Sequence, residues 1–535
     1  RRERARMCRR DDLVFQSSRL VRVLMAGVLT VSGMLGLAGC GAEPDSPSVQ
    51  LGDTTVNGVY ETNGIAAFLG LPFAEPPVGE RRWARPVPWQ PDGQSIDAST
   101  FAPACMQTDS GVEWYRGMMA RVGIDPNLMV APEYSEDCLY LNVWTDLEAE
   151  EPLPVMIYIH GGGNTGGWSY EPNYHGEQLA QQGMVVVSVA YRLGIFGWLN
   201  HPEMTIKNPA LHDLATSLAW VHEHIAAFGG DPERITVVGE SAGADNAVHL
   251  AISPLSQGRI RGLIHQSGGW SFDEGPDTPA AEAHALAFQK AVLGESGSLA
   301  GLREMPASEL LDAAGEVYSS FYFDPVQDSE SLPETLPELS DRGALPAIDV
   351  MLGTNLNEAL MYVPPGSTPP EYFEGHLTAA VIERIFDEFP DELPAVDQID
   401  RVGTGIDFLC PSLALASALD KAGARAWVYR FDRVRQGFES IGAYHGAELP
   451  YMFNQHDDWL PTEEVDRRLT KEMVAHWSTF VRRGDPNSES APLWPQWRAG
   501  DSQIIRYGDT TTYGTHPDLA FCEGLRAQYL SADNQ

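Results

Sequence analysis

Three stretches of this chain are almost unbroken runs of strand-forming residues that open into loops: PVMIYIHGGG at 154–163, MVVVSVAYR at 184–192 and ITVVGESAG at 235–243. A strand wetted on one face alternates apolar and polar positions; a strand covered on both faces does not. Segments of helical spacing lie between them, SLAWVHEHIAAF at 217–228 and GADNAVHLAI at 243–252, and GLIHQSG (262–268), AIDVMLGTN (347–355) and AWVYRF (426–431) add further strands. Buried strands alternating with helices predict an α/β fold with a mostly parallel central sheet flanked by helices. A hydrophobic fraction of 43% supplies the core for one large domain. In such sheets ligands sit beyond the carboxyl ends of the strands, which is where the chemically suggestive residues fall.

Gly239-Glu240-Ser241-Ala242-Gly243 sits between a strand and a helix. With 51 glycines in 535 residues, G-x-S-x-G is expected by chance roughly 0.3 times, so the pentapeptide alone is weak. HGGG at 160–163 is expected only about 0.01 times and weighs more. A serine hydroxyl is a poor nucleophile at neutral pH and needs a base, a carboxylate to orient that base, and N–H donors for the oxyanion. Ser241 at a strained elbow, the glycine loop, Glu358 in GTNLNEA and His445 in GAYHGAEL follow the chain order Ser, acid, His. Asp349 is the weaker alternative for the acid. His160 is read as shaping its loop, and Trp427 and Tyr429 as strand packing.

The formal net charge of −38, with only Lys207, Lys290, Lys421 and Lys471 as lysines, argues against nucleic acid and anionic membrane surfaces as partners. Residues 1–39 differ from the rest. They carry eight arginines against Glu3, Asp11 and Asp12, then the uncharged run VLMAGVLTVSGMLGL and the sequence LAGC. These are signal-peptide features, and LAGC resembles the bacterial lipoprotein box, in which Cys40 takes the lipid. The expectation is a signal peptide at 1–39, a flexible tether at 40–50 and the catalytic domain at 51–535. The protein would be exported and held at the bacterial cell envelope by its lipid, or secreted. An uncleaved transmembrane anchor is the alternative. With Cys8 in the signal and Cys40 lipidated, Cys105, Cys138, Cys410 and Cys522 remain. Export permits disulfides, and the count alone leaves three pairings open. No spacing among the cysteines points to a zinc or iron–sulfur site, and no cofactor or metal is expected.

From about Gly64 onward the chain resembles the type-B carboxylesterase family, an α/β-hydrolase branch that includes cholinesterases and bacterial p-nitrobenzyl esterases. FLGLPFAEPPVGERRWARP (68–86), SEDCLYLNVW (135–144), AFGGDPERITVVGESAG (227–243) and HQSG (265–268) carry the likeness. The resemblance implies a Ser241–Glu358–His445 triad acting on small-molecule esters, with Gly162, Gly163 and Ala242 as oxyanion donors. It further implies the disulfides Cys105–Cys138 and Cys410–Cys522, the buried ion pairs Arg82–Glu136 and Arg192–Asp213, and Glu240 and Ser267 beside the triad.

The chain also departs from the family. Leu128 stands where cholinesterases carry a tryptophan, so a cation–π seat for choline is missing there. Trp114 and Tyr115 lie in the same region without an assigned place. Asn164 replaces the aromatic that usually follows the glycine loop and is expected to put a polar group near the substrate. SSFYFDPVQD resembles the acyl-pocket stretch, which implies that Phe321 and Phe323 crowd the acyl side beside Ser319. The expected reaction is ester hydrolysis through an acyl-enzyme. The alternatives are a non-catalytic binding or adhesion member of the fold, and the same mechanism on amides, lactones or thioesters.

Overall fold

The computed structural model describes residues 46–269, 278–317, 323–374, 377–387, 389–390, 392–456 and 459–532. An 11-stranded sheet forms its centre. In chain order its strands are β1 (Val59–Tyr60), β2 (Ala66–Pro72), β3 (Tyr140–Thr145), β4 (Leu153–Ile159), β5 (Val185–Val189), β6 (Gly230–Glu240), β7 (Ile260–Gln266), β8 (Asp349–Asn355), β9 (Ala426–Phe431), β10 (Gln503–Tyr507) and β11 (Thr511–Thr515). Their spatial order is β11-β10-β9-β8-β7-β6-β4-β5-β3-β2-β1. Pairing is parallel from β5 across to β10 and antiparallel at both margins. The mostly parallel sheet flanked by helices is the fold the unbroken strands predict.

The strands lack alternation because both faces are buried. Successive side chains of a strand point to opposite faces. Val155, Ile157 and Ile159 of β4 and Val185, Val187 and Val189 of β5 enter one apolar core, while Met156, Tyr158 and Val186 enter the other. Trp427 and Tyr429 of β9 belong to the second core, as their packing role requires.

The strand order reverses at β4, which lies between β5 and β6. Loops leaving adjacent strands in opposite directions open a crevice beyond their carboxyl ends. β4 runs into the HGGG loop and β6 into Ser241, so these two motifs share that crevice.

Two boundaries differ from the sequence reading. Ser48–Leu51, which overlaps the end of the segment read as tether, is a strand paired with Thr54–Asn57 in a separate three-stranded sheet. Its alternating burial, with Val49 and Leu51 inward, shows why it folds, so regular structure is present before residue 51. The helix expected over 217–228 begins at Pro209 and ends at His224, followed by a 3-10 turn, Ile225–Phe228. Proline at its first position, after Asn208, was the start signal.

Both disulfides, Cys105–Cys138 and Cys410–Cys522, are formed. Arg192 pairs with Asp213 through two bonds of 2.7 Å, both groups buried. Arg82 donates to Glu136 at 2.6 Å and to Met305 O at 2.8 Å. Removing one partner of such a pair strands a charge and costs about 3–5 kcal/mol.

Candidate active site

Ser241 caps the helix Ala242–Ile252 directly after β6, with φ +57° and ψ −133°. That backbone is strained for a non-glycine residue. Its N–H donates to Gln266 O at 2.8 Å, and its carbonyl accepts from Ala244 N at 2.8 Å. The turn is tight because glycines abut bare backbone. A Cβ on Gly243 would lie 2.2 Å from Ile159 O. The glycine loop is pressed against the elbow, since a Cβ on Gly161 would meet Glu240 O at 2.7 Å and Ser241 Cβ at 3.0 Å. Gly162 and Gly163 have φ of +100° and +59°, the first open to glycine almost alone. The structure thus presses the start of the loop that carries Gly162 and Gly163 against the Ser241 elbow.

Glu358 and His445 meet from the loops after β8 and β9. Glu358 Oε2 is 2.8 Å from His445 Nδ1, and Glu358 Oε1 accepts from Asn355 N at 2.6 Å. Glu358 is fully buried. His445 Nε2 lies 3.4 Å from Glu240 Oε1. Among the described residues it makes no hydrogen bond to Ser241, and unliganded catalytic sites are often long at this contact. Phe408 packs on the imidazole, ring centres 4.8 Å apart, and Tyr362 lies 6.2 Å away. Phe408 comes from a π-helical turn, Gly405–Leu409, that directly precedes Cys410.

The electrostatics favour a cationic imidazole. Burial by itself disfavours it, but the facing charge of Glu240 and the hydrogen bond and charge of Glu358 outweigh this, and His445 is raised to about 9. Glu240 is raised to about 8, chiefly by burial, against the attraction of His445. Glu448 is raised by burial and by the charge of Glu358. Glu448 receives Gln266 Nε2 at 2.9 Å and Asn355 Nδ2 at 2.6 Å, and the same Asn355 Nδ2 donates to Tyr444 O at 2.8 Å. Glu448 thus anchors Asn355, whose N–H holds Glu358 and whose amide in turn holds the chain entering His445. The sequence reading passed over it, although it stands in the quoted GAYHGAEL.

His160 is buried, stacks on Tyr191 and contacts Gly161 O at 2.9 Å. Burial lowers it to about 4, so it is a neutral loop-shaping group, as read. Ser267 follows β7, with its N–H bonded to Gly353 O at 2.8 Å. Tyr115 is buried and donates to Glu171 Oε2 at 2.8 Å, while Trp114 lies edge-on to it and 6.3 Å from Tyr444. Leu128 is exposed.

One pocket expectation needs correction. Asn164 is 3% exposed, and its amide is bonded to protein on both sides, to Phe323 O and to Asn246 Nδ2 at 2.7 Å each. It braces protein against protein and does not present a polar group to substrate. Phe323 is buried and packs with the first apolar core. Phe321, Ser319 and Cys40 lie outside the described residues.

A parallel sheet with a strained Ser elbow at its switch point, and an acid and histidine beyond later strands, defines the α/β-hydrolase class. The chain belongs to the carboxylesterase family, whose model matches residues 45–523, and it is a carboxylic ester hydrolase. It is 31% identical over 489 residues to the para-nitrobenzyl esterase of Bacillus subtilis (strain 168), covering 86% of this chain and 95% of that one. It is 31% identical to the fumonisin B1 esterase of Sphingopyxis macrogoltabida (92% and 91%), and 29% to the acetylcholinesterase of Bungarus fasciatus (85% and 81%). Among solved structures, a PNB esterase superposes with a TM-score of 0.77 and a thermophilic PNB esterase with 0.79. Each is 30% identical, and each superposition covers 89% of this chain and 99% of the other.

Proposed function

We propose that the chain hydrolyses small-molecule carboxylic esters through Ser241, His445 and Glu358. The observation that carries this reading is the buried 2.8 Å contact between Glu358 and His445 Nδ1, made beyond the strand ends beside the Ser241 elbow. His445 Nε2 takes the Ser241 proton as Oγ attacks the carbonyl carbon. The oxyanion is held by the N–H groups of Gly162, Gly163 and Ala242. The tetrahedral adduct collapses, and the leaving alkoxide receives the proton from Nε2. Water, deprotonated by the same nitrogen, then releases the acid. Glu358 fixes the tautomer and stabilises the imidazolium.

The para-nitrobenzyl esterase, acetylcholinesterase and fumonisin B1 esterase among the relatives support ester substrates, and p-nitrobenzyl esters are the natural first probes. The test is hydrolysis of p-nitrobenzyl esters and of p-nitrophenyl esters from acetate to palmitate, with Ser241→Ala alongside. Activity that vanishes in the variant supports the mechanism. A folded protein inactive on every ester favours the binding reading. Activity on amides, lactones or thioesters instead moves the bond and keeps the residues. The envelope reading goes with this one: Cys40→Ser abolishes lipid labelling and membrane association if Cys40 is the anchor, and unchanged membrane retention overturns it.

A further inference from the structure

The proposed oxyanion donors come from two separate pieces of chain. Gly162 and Gly163 lie in the loop after β4, and Ala242 opens the helix after β6. Such a hole works only if its donors keep fixed positions, about 2.7–3.1 Å from the developing oxyanion. The two glycines have no side chains with which to hold their own loop.

The next residue is Asn164. Its backbone is left-handed, φ +60°, a conformation asparagine tolerates better than most residues with a Cβ. Three bonds of 2.7 Å leave it in three directions. Nδ2 donates to Phe323 O. Oδ1 accepts from Asn246 Nδ2, on the helix that begins with Ala242. The backbone carbonyl accepts from Gly194 N. The Phe323 segment is itself fastened three residues on by a second buried, left-handed asparagine, Asn208, whose φ is +52°. Asn208 Oδ1 accepts from Val326 N at 2.8 Å, and its Nδ2 reaches Val326 O at 2.7 Å and Ser331 Oγ at 2.9 Å. Asn164 therefore clamps the glycine loop between a fixed abutment and the nucleophile helix. A phenylalanine at this place would have no group able to make either side-chain bond.

We propose that Asn164 is a positioning residue that holds the two halves of the oxyanion hole in register. The inference rests on the proposed assignment of Gly162, Gly163 and Ala242 as donors. The clamp acts on the transition state, where the oxygen becomes charged, and much less on substrate binding.

The test uses the purified enzyme with Asn164→Ala, Asn164→Gly, Asn246→Ala and the Asn164→Ala/Asn246→Ala pair. It reads kcat and KM on short- and long-chain p-nitrophenyl esters, and inhibition by a straight-chain alkyl trifluoromethyl ketone, whose serine adduct places an oxyanion in the hole. Deleting a direct oxyanion donor costs about 100- to 1,000-fold in kcat, and loosening the donors is expected to cost about 10- to 100-fold. That loss falls on kcat alike for all chain lengths, with KM within about threefold, and trifluoromethyl ketone affinity falls in parallel. Asn164→Gly, which relieves the backbone, loses as much as Asn164→Ala, and the pair loses little more than either single variant.

Variants within twofold of the wild type overturn the proposal. So does a kcat loss without weaker ketone binding, which marks general destabilisation, or a loss confined to KM or to one chain length, which marks a substrate contact. If Asn164→Ala does not accumulate, Asn246→Ala carries the same expectation. Failure of the underlying mechanism looks different: the wild type is then insensitive to the ketone, or Ser241→Ala retains activity.

Discussion

The loops after β4 and β6 and the loops after β8 and β9 converge on the same crevice but are held by different forces. On the first side the contacts are steric and uncharged. Gly161 and Gly243 press against bare backbone, Asn164 ties neutral amides to carbonyls, and His160 is kept neutral by burial. On the second side the contacts are ionic. Glu358 and Glu448 of this side are buried around His445, joined by Glu240, the one charge that reaches across from the end of β6, and together they raise the imidazole despite its burial. The first side therefore sets geometry, and the second sets the protonation state in which the site works. Changes on one should alter rate without moving the pH profile, and changes on the other should move it.

The largest expected effect breaks the ionic side at its centre. Glu358→Gln removes the orienting charge and permits the wrong tautomer, and kcat is expected to fall about 1,000- to 10,000-fold in a folded protein. Steady-state kinetics with a thermal melt checks this. A loss below tenfold would assign the acid elsewhere.

Gly243→Ala tests the steric side. Its Cβ would sit 2.2 Å from Ile159 O and 2.6 Å from His160 O, so the elbow and the strand must part. A loss of about 100-fold is expected, since a displacement of about 1 Å at a reacting centre has that scale. The pH at which the remaining rate is half-maximal should be unchanged.

Glu240→Gln sharpens the contrast. A general base must be neutral, so a histidine raised to about 9 makes kcat/KM of the wild type climb with pH through that region. Removing the carboxylate that faces Nε2 lowers the histidine, and the rising limb should move to lower pH by about one unit. A pH–rate profile reads the shift directly, and an unmoved limb would contradict the electrostatic account. The smallest effect on catalysis is expected from Cys105→Ser with Cys138→Ser, which removes neither a charge nor a hydrogen-bond donor from either side. Closure of that 33-residue separation is worth roughly 3–4 kcal/mol of stability in the chain-entropy model, so denaturation shifts while kcat stays within a few-fold.

What the sequence disclosed follows the same division. Buried parallel strands are legible because covering both faces removes polar positions, and a strained elbow is legible because glycine alone tolerates its close approaches. Tyr140–Thr145 lay unnoticed as a strand within the quoted SEDCLYLNVW, and the short strands Gln503–Tyr507 and Thr511–Thr515 carry no long apolar run. The meaning of Asn164 was not legible. Its side-chain partners lie 82 and 159 residues away, and nothing in local spacing separates an amide facing substrate from one bracing two segments. The burial of Phe323 was not legible either, because an aromatic looks the same in sequence whether it lines a pocket or packs a core. Glu448 is one glutamate in an acidic chain, and only its burial beside Glu358 distinguishes it.

The central claim, that Ser241 is the nucleophile served by His445 and Glu358, is tested most directly by trapping the acyl-enzyme. The enzyme is mixed with p-nitrophenyl acetate, quenched during the first turnover and mapped by peptide mass. The account predicts one acetyl group per chain, on the peptide containing Ser241, with none in Ser241→Ala and slow accumulation in Glu358→Gln. Acetyl on another residue, or a burst that survives in Ser241→Ala, would contradict it.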